Sequence, residues 1–109
     1  MTQLEPLRGE VWDVRFPAFG VHPAVVLSVS RLNVRLGHAA VIPITGTRGP
    51  EGTHVPLTAD AGLTRYAESY ADITSLQPAA RGRFRHRRGL LASAEIAHVE
   101  DRLRIYLGL

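Results

Sequence analysis

The sequence contains no cysteine and no lysine in its 109 residues. The first absence excludes disulfides, thiolate metal sites and a cysteine nucleophile together. The second makes all 13 basic residues arginine, against 10 acidic ones, for a net charge of +3. No apolar run approaches the about 18 residues that a membrane-spanning helix needs. The opening from Met1 to Pro6 is polar and acidic, unlike a secretory leader. A cytoplasmic protein with no membrane contact is therefore the expectation. There is no Gly-x-Ser-x-Gly elbow and no P-loop: Gly46, Gly49 and Gly52 are interrupted by Pro50 and followed by no lysine. The histidines, at 22, 38, 54, 86 and 98, show no i, i+4 pair and no ligand spacing to a carboxylate. The sequence thus proposes neither a metal nor another cofactor.

What remains is ordinary globular composition, 45 % hydrophobic and 21 % charged, at a length that fits one domain over residues 1–109. Arg81, Arg83, Arg85, Arg87 and Arg88 crowd one short stretch, and outside it acids outnumber arginines. Arginine presents a planar fork that fits phosphate, so this stretch suits a polyanion. A GC-rich coding bias and a solvated loop would leave the same mark.

Residues 9–16 alternate, with Trp12, Val14 and Phe16 on one face, which predicts a half-buried strand. Residues 17–20 read as a short connection. The β-branched run 24–29 predicts a strand buried on both faces. Residues 31–36 allow a helical turn. Residues 39–45 form a third strand, at an edge or irregular at Pro43, which has no N–H to donate. A glycine-punctuated loop over 46–52 leads to a short strand at 54–57 and a turn, or one helical turn closed by glycine, over 58–62. Residues 68–76 alternate again and predict a fifth strand. Ser93 can cap a helix to about Leu107, whose Ile96, Val99, Leu103 and Tyr106 form a core or interface stripe. Short connections favour antiparallel neighbours. The predicted architecture is mainly β with α: a strongly twisted five-stranded antiparallel sheet, or small open barrel, with a C-terminal helix.

Three places carry candidate chemistry. His22 stands between Val21 and Pro23 at the mouth of a buried strand, where an imidazole could act as general acid or base; a surface turn histidine would look the same. Thr45 ends the third strand beside the glycine loop, where its hydroxyl could donate to a phosphate oxygen or have no task. Phe16 and Phe19 flank a short loop, and an exposed ring there could stack on a base; either could instead plug the core.

Taken in order, these segments resemble the MazF/PemK-type toxins of bacterial toxin–antitoxin pairs. Arg8-Gly9-Glu10-Val11-Trp12-Asp13-Val14 is similar to the family's opening. His22-Pro23-Ala24-Val25-Val26-Leu27-Ser28 resembles its second strand, Val41-Ile42-Pro43-Ile44-Thr45 its third, and Thr53-His54-Val55-Pro56-Leu57 its hairpin return. Ser69-Tyr70-Ala71-Asp72-Ile73 falls where the family has a strand leading to a basic segment, and residues 88–109 resemble its closing helix. The resemblance implies a homodimer with an RNA groove and metal-independent cleavage of single-stranded RNA such as mRNA. It implies 2′-OH attack leaving a 2′,3′-cyclic phosphate, and silencing by a cognate antitoxin with an acidic, partly disordered tail. The family's working pair is an arginine before the second-strand proline and a threonine or serine ending the third strand. Thr45 matches the second; His22 replaces the first. Arg48, Arg81 and Arg83 become candidates for phosphate contacts. The loop between the first two strands is short for the family. Two alternatives accompany this reading: a CcdB-like toxin that grips gyrase through its C-terminal helix region, and a catalytically inactive member.

Overall fold

The alternation at the start of the chain becomes strand β1 (Glu10–Phe16). The protein is represented by a computed structural model that describes residues 5–58, 62–63 and 68–109. Val11 packs into one apolar cluster while Trp12, Val14 and Phe16 pack into another on the opposite face, as the pleat of a strand requires. β2 (Gly20–Val26) returns antiparallel, paired from Phe16↔Gly20 to Val11↔Val25. It begins and ends earlier than the β-branched run suggests. That run marks only the stretch buried on both faces, whereas hairpin pairing continues to the turn. His22 consequently lies in the ladder opposite Val14, not in a turn.

Residues 31–36 belong to a two-turn helix, α1 (Ser30–Leu36), which delivers the chain to β3 (His38–Thr45). β3 is interior, so of the two roles open to Pro43 the structure takes the irregular one. Along its second edge β3 pairs with β6 (Gln77–Ala80) over His38–Val41, then with β5 (Ser69–Asp72) over Ile44–Thr45. Pro43 stands at that handover, where a missing N–H costs least. β4 (His54–Leu57) is the outer strand beside β5, which accommodates Pro56. β7 (Phe84–Leu90) flanks β1 at the other end, giving the order β4-β5-β3-β2-β1-β7 with β6 also on β3. The sheet is antiparallel and open. The turn expected over 58–62 falls largely outside the described residues.

The described residues hold seven strands rather than five. The expected strand over 68–76 stops at Asp72, whose carboxylate accepts from Thr74 N–H at 3.1 Å and Thr74 Oγ1 at 2.7 Å and so caps a 3-10 turn at Ile73–Ser75. The chain then re-enters the sheet as β6. β7 is the arginine stretch itself. Only Phe84 of β7 is fully buried, so no alternation of hydrophobicity announces the strand. Arg87 pairs with Glu10, and Arg88 lies 3.7 Å from Asp13.

Helix α2 (Ser93–Leu107) has the expected span. Val99 belongs to the buried cluster that also holds Val11, Val25, Ile42, Val55 and Ile73, and Ile96 and Leu103 pack against it, whereas Tyr106 is exposed with Ile105 and Leu107. Ser93 is the first helical residue, not the cap. Glu95 reaches back to accept from Ala92 N–H at 3.0 Å and takes Thr58 N–H at 2.8 Å with its other oxygen. Among the described residues no helix is long and apolar enough to cross a membrane.

Glu10 is the buried acid of β1. Its carboxylate accepts from Leu7 N–H at 2.7 Å, Trp12 Nε1–H at 3.0 Å and the Arg87 guanidinium. Burial pushes its pKa up, but those hydrogen bonds and the Arg87 charge outweigh it and leave the group below its ordinary 4.5. A lowered folded value means stability that is present above the unfolded pKa and lost as pH falls through the folded one. The urea midpoint is therefore expected to fall between pH 6 and pH 3. Glu10→Gln should be less stable by about 1–3 kcal/mol at pH 6 and show a shallower pH dependence.

Candidate active site

The register of β2 on β3 pairs Ala24 with Pro43 and Val25 with Ile42. Continued two residues, it sets His22 opposite Thr45, on the same face. Both residues line one open cleft of about 430 Å³, with Phe19, Thr47, Asp72 and Ser75 among its walls.

His22 Nε2 lies 3.1 Å from the carbonyl oxygen of Phe19. A carbonyl only accepts, so Nε2 carries the hydrogen and Nδ1 is the nitrogen left to take a proton. The ring also meets Phe19 edge-on at 5.1 Å. Phe19 in turn stacks on Phe16 at 4.7 Å. Phe16 is 3 % exposed and Phe19 46 %, so the first is core and props the second, which offers a ring face to solvent. Thr45 Oγ1 accepts from Thr47 N–H at 3.1 Å. That bond fixes the oxygen and leaves its own hydrogen to donate.

Asp72 and Ser75 are cleft residues that reading the chain did not single out. Besides the bonds from Thr74, Asp72 accepts from Ser75 Oγ at 3.0 Å. Burial raises the Asp72 pKa, but hydrogen bonds from Thr74 and Ser75, and the nearby His54, hold it below the ordinary 3.8. The carboxylate stays ionised near neutral pH. The signal was the Asp-x-Thr-Ser spacing, legible as a turn cap but silent about which wall the cap would join.

Among the described residues no arginine lines this cleft. Arg48 belongs to a neighbouring cavity. Arg81 pairs with Glu5 at 2.7 Å, and Arg83 sits half-buried in the 3-10 turn before β7. The described walls of the cleft offer a phosphate an imidazole, hydroxyls and backbone N–H groups.

A curled antiparallel sheet closed by one helix, with an imidazole and a hydroxyl converging from adjacent strands, defines a small α+β protein with a polar surface cleft. The family model of PemK-like, MazF-like toxins of type II toxin–antitoxin systems matches residues 7–107. The chain belongs to that family. Similar solved structures include a MazF from Deinococcus radiodurans, at 21 % identity and TM-score 0.86, with 98 % of this chain and 100 % of that one covered. An endoribonuclease in complex with its cognate antitoxin, from a mycobacterial species, shows 22 % identity and TM-score 0.84 over 95 % and 96 %. A MazE–MazF structure from Deinococcus radiodurans shows 23 % identity and TM-score 0.83 over 98 % and 99 %.

Proposed function

We propose that this protein is an endoribonuclease toxin that cuts single-stranded RNA without a metal ion, acts as a cytoplasmic homodimer and is silenced by a cognate antitoxin. The placement of His22 and Thr45 on one cleft beside an exposed Phe19 carries the reading. Family membership and relatives described as endoribonucleases with antitoxins support it.

The chemistry follows from the groups present. A base stacks on Phe19 and holds the strand across the cleft. His22 Nδ1 takes the proton of a ribose 2′-OH, and the oxygen attacks the adjacent phosphorus. The bond from phosphorus to the 5′-oxygen breaks, and that oxygen takes a proton from solvent. A 2′,3′-cyclic phosphate and a 5′-OH remain. Thr45 donates its hydroxyl hydrogen to a non-bridging oxygen as charge builds there. Asp72, an anion on the same wall, keeps its charge but turns its oxygens toward Thr74 and Ser75. Arg48, just past Thr47, is in place for the same strand, while Arg81 and Arg83 belong to the β6–β7 region and would meet only a longer RNA.

Purified protein is expected to cut an unstructured RNA at pH 6 to 8 with EDTA present, leaving cyclic-phosphate ends. Thr45→Val should slow that cutting about 10²-fold by removing one donor to the developing charge. RNA bound but uncut would identify an inactive member. The exposed Ile105, Tyr106 and Leu107 at the end of α2 are what a gyrase-gripping toxin would use; inhibited supercoiling with RNA untouched would favour that alternative.

A further inference from the structure

A second cavity of about 420 Å³ lies on the far side of Thr47, lined by Arg48, Glu51, His54, Glu68, Tyr70 and His98. Three features tie it to the first. The loop after β3 runs through both, with Thr45 and Thr47 on one and Arg48 on the other. Tyr70 is the register partner of Thr45 across β3 and β5. His54, a wall of the second cavity, has Nε2 4.0 Å from Oδ2 of Asp72, a wall of the first. Adjacent strands are about 4.8 Å apart, so Thr45 on the wall of one cavity and Tyr70 on the wall of the other stand one strand spacing apart.

Three side chains of this second cavity, Tyr70, Glu68 and His54, have polar partners. Tyr70 donates to Glu68 Oε2 at 2.6 Å, and that carboxylate holds the phenol above its ordinary pKa. His54 Nδ1 is 2.8 Å from Thr53 Oγ1. The Gly49 backbone lies against the His54 ring so closely that a Cβ there would come within 2.4 Å of it. The result is a carboxylate hydrogen-bonded by Tyr70 and a guanidinium on one cavity, next to the site where a phosphate would be cut.

We propose that this cavity is a base-reading subsite selective for guanine in the nucleotide flanking the cut, with Glu68 accepting from N1–H and the N2 amino group and Arg48 donating to O6 and N7. The assignment rests on the ribonuclease reading for its place in the reaction, but its chemistry is separate. Guanine alone presents two N–H donors side by side and two acceptors side by side. A carboxylate matches the first pair and a guanidinium the second. Cytosine and adenine each place an acceptor beside their amino group, and uracil has one N–H between two carbonyls; either arrangement would leave the carboxylate facing a lone pair.

The test uses short fully 2′-O-methylated oligonucleotides, which lack the nucleophile and cannot be cut, so binding is read apart from cleavage. One fluorescent hexamer of adenines is compared with hexamers carrying a single guanine or inosine at each position. A guanine at one position is expected to tighten binding about tenfold or more. Inosine, without the N2 amino group, should recover only part of that gain. Glu68→Gln, which keeps shape and removes charge, should lose most of the guanine preference, and Arg48→Ala should reduce it further. Equal affinity for all hexamers, or a preference unaltered in Glu68→Gln, overturns the subsite. A guanine preference in a protein that cuts no RNA would leave the subsite standing and remove the ribonuclease reading instead.

Discussion

His22→Ala is expected to slow RNA cleavage by about 10³-fold, within the range that loss of a positioned general base gives, while thermal stability changes little. The size follows from what else lines the cleft. Asp72 is held ionised below the ordinary carboxylate range, and its oxygens are engaged by Thr74 and Ser75. The remaining walls named above are hydroxyls and an aromatic ring, which do not exchange protons readily near neutral pH. Among the described residues no arginine stands on the cleft to take over. The small cost to stability follows from geometry, because the hydrogen bond of the ring to the Phe19 carbonyl is solvent-exposed. His22→Gln separates the two roles of the side chain: glutamine can still donate to that carbonyl but cannot take a proton. It should be as slow as His22→Ala. The measurement is the single-turnover rate on a short RNA at saturating enzyme. A His22→Ala rate within threefold of the original would remove the imidazole from the mechanism.

The sequence nominates the proposed pair, His22 and Thr45, one residue at a time and joins it only through the family resemblance; its meeting depends on short-range register. His22 and Thr45 sit at fixed offsets from Pro23 and Pro43, and two neighbouring antiparallel strands bring such offsets into register. β1, α2 and the doubly buried part of β2 were legible for a similar reason, since burial writes a period into the residues. β7 was not: its pairing with β1 is made by backbone, and its outward side chains are Arg85, His86, Arg87 and Arg88. The break between β5 and β6 was also hidden. A capping carboxylate and an alternating strand residue look alike until the chain turns, and Pro78 argued against the strand that β6 proves to be. The second cavity joins the β3–β4 loop, β4, β5 and α2, segments whose meeting depends on how far the sheet curls. Arg48 could be singled out as a cation near the site, but its neighbours Glu68 and His98 carried no signal in the chain.

Gly62→Ala is expected to destabilise the fold by about 3 kcal/mol or more, lowering the Tm by on the order of 10–20 °C. Gly62 has φ +79°, and an added Cβ would lie 2.2 Å from the carbonyl oxygen of Arg88. The obstacle is backbone, so no rotamer change relieves it. Either the segment must leave β7, or β7 must move off β1, where Arg87 and Arg88 hold Glu10 and Asp13. The next residue, Leu63, is buried in the cluster beneath α2, so retreat of the segment would also open the core. Gly20→Ala provides the comparison. Gly20 has φ +82°, yet an added Cβ would meet nothing within 4 Å. It should cost only the left-handed penalty of about 1–2 kcal/mol. The two substitutions share chemistry and backbone conformation and differ in the Arg88 contact alone. Their difference in urea midpoint, converted with a common m-value, therefore measures that contact. Equal costs for the two variants would mean that the 62–63 segment does not press against β7 in solution.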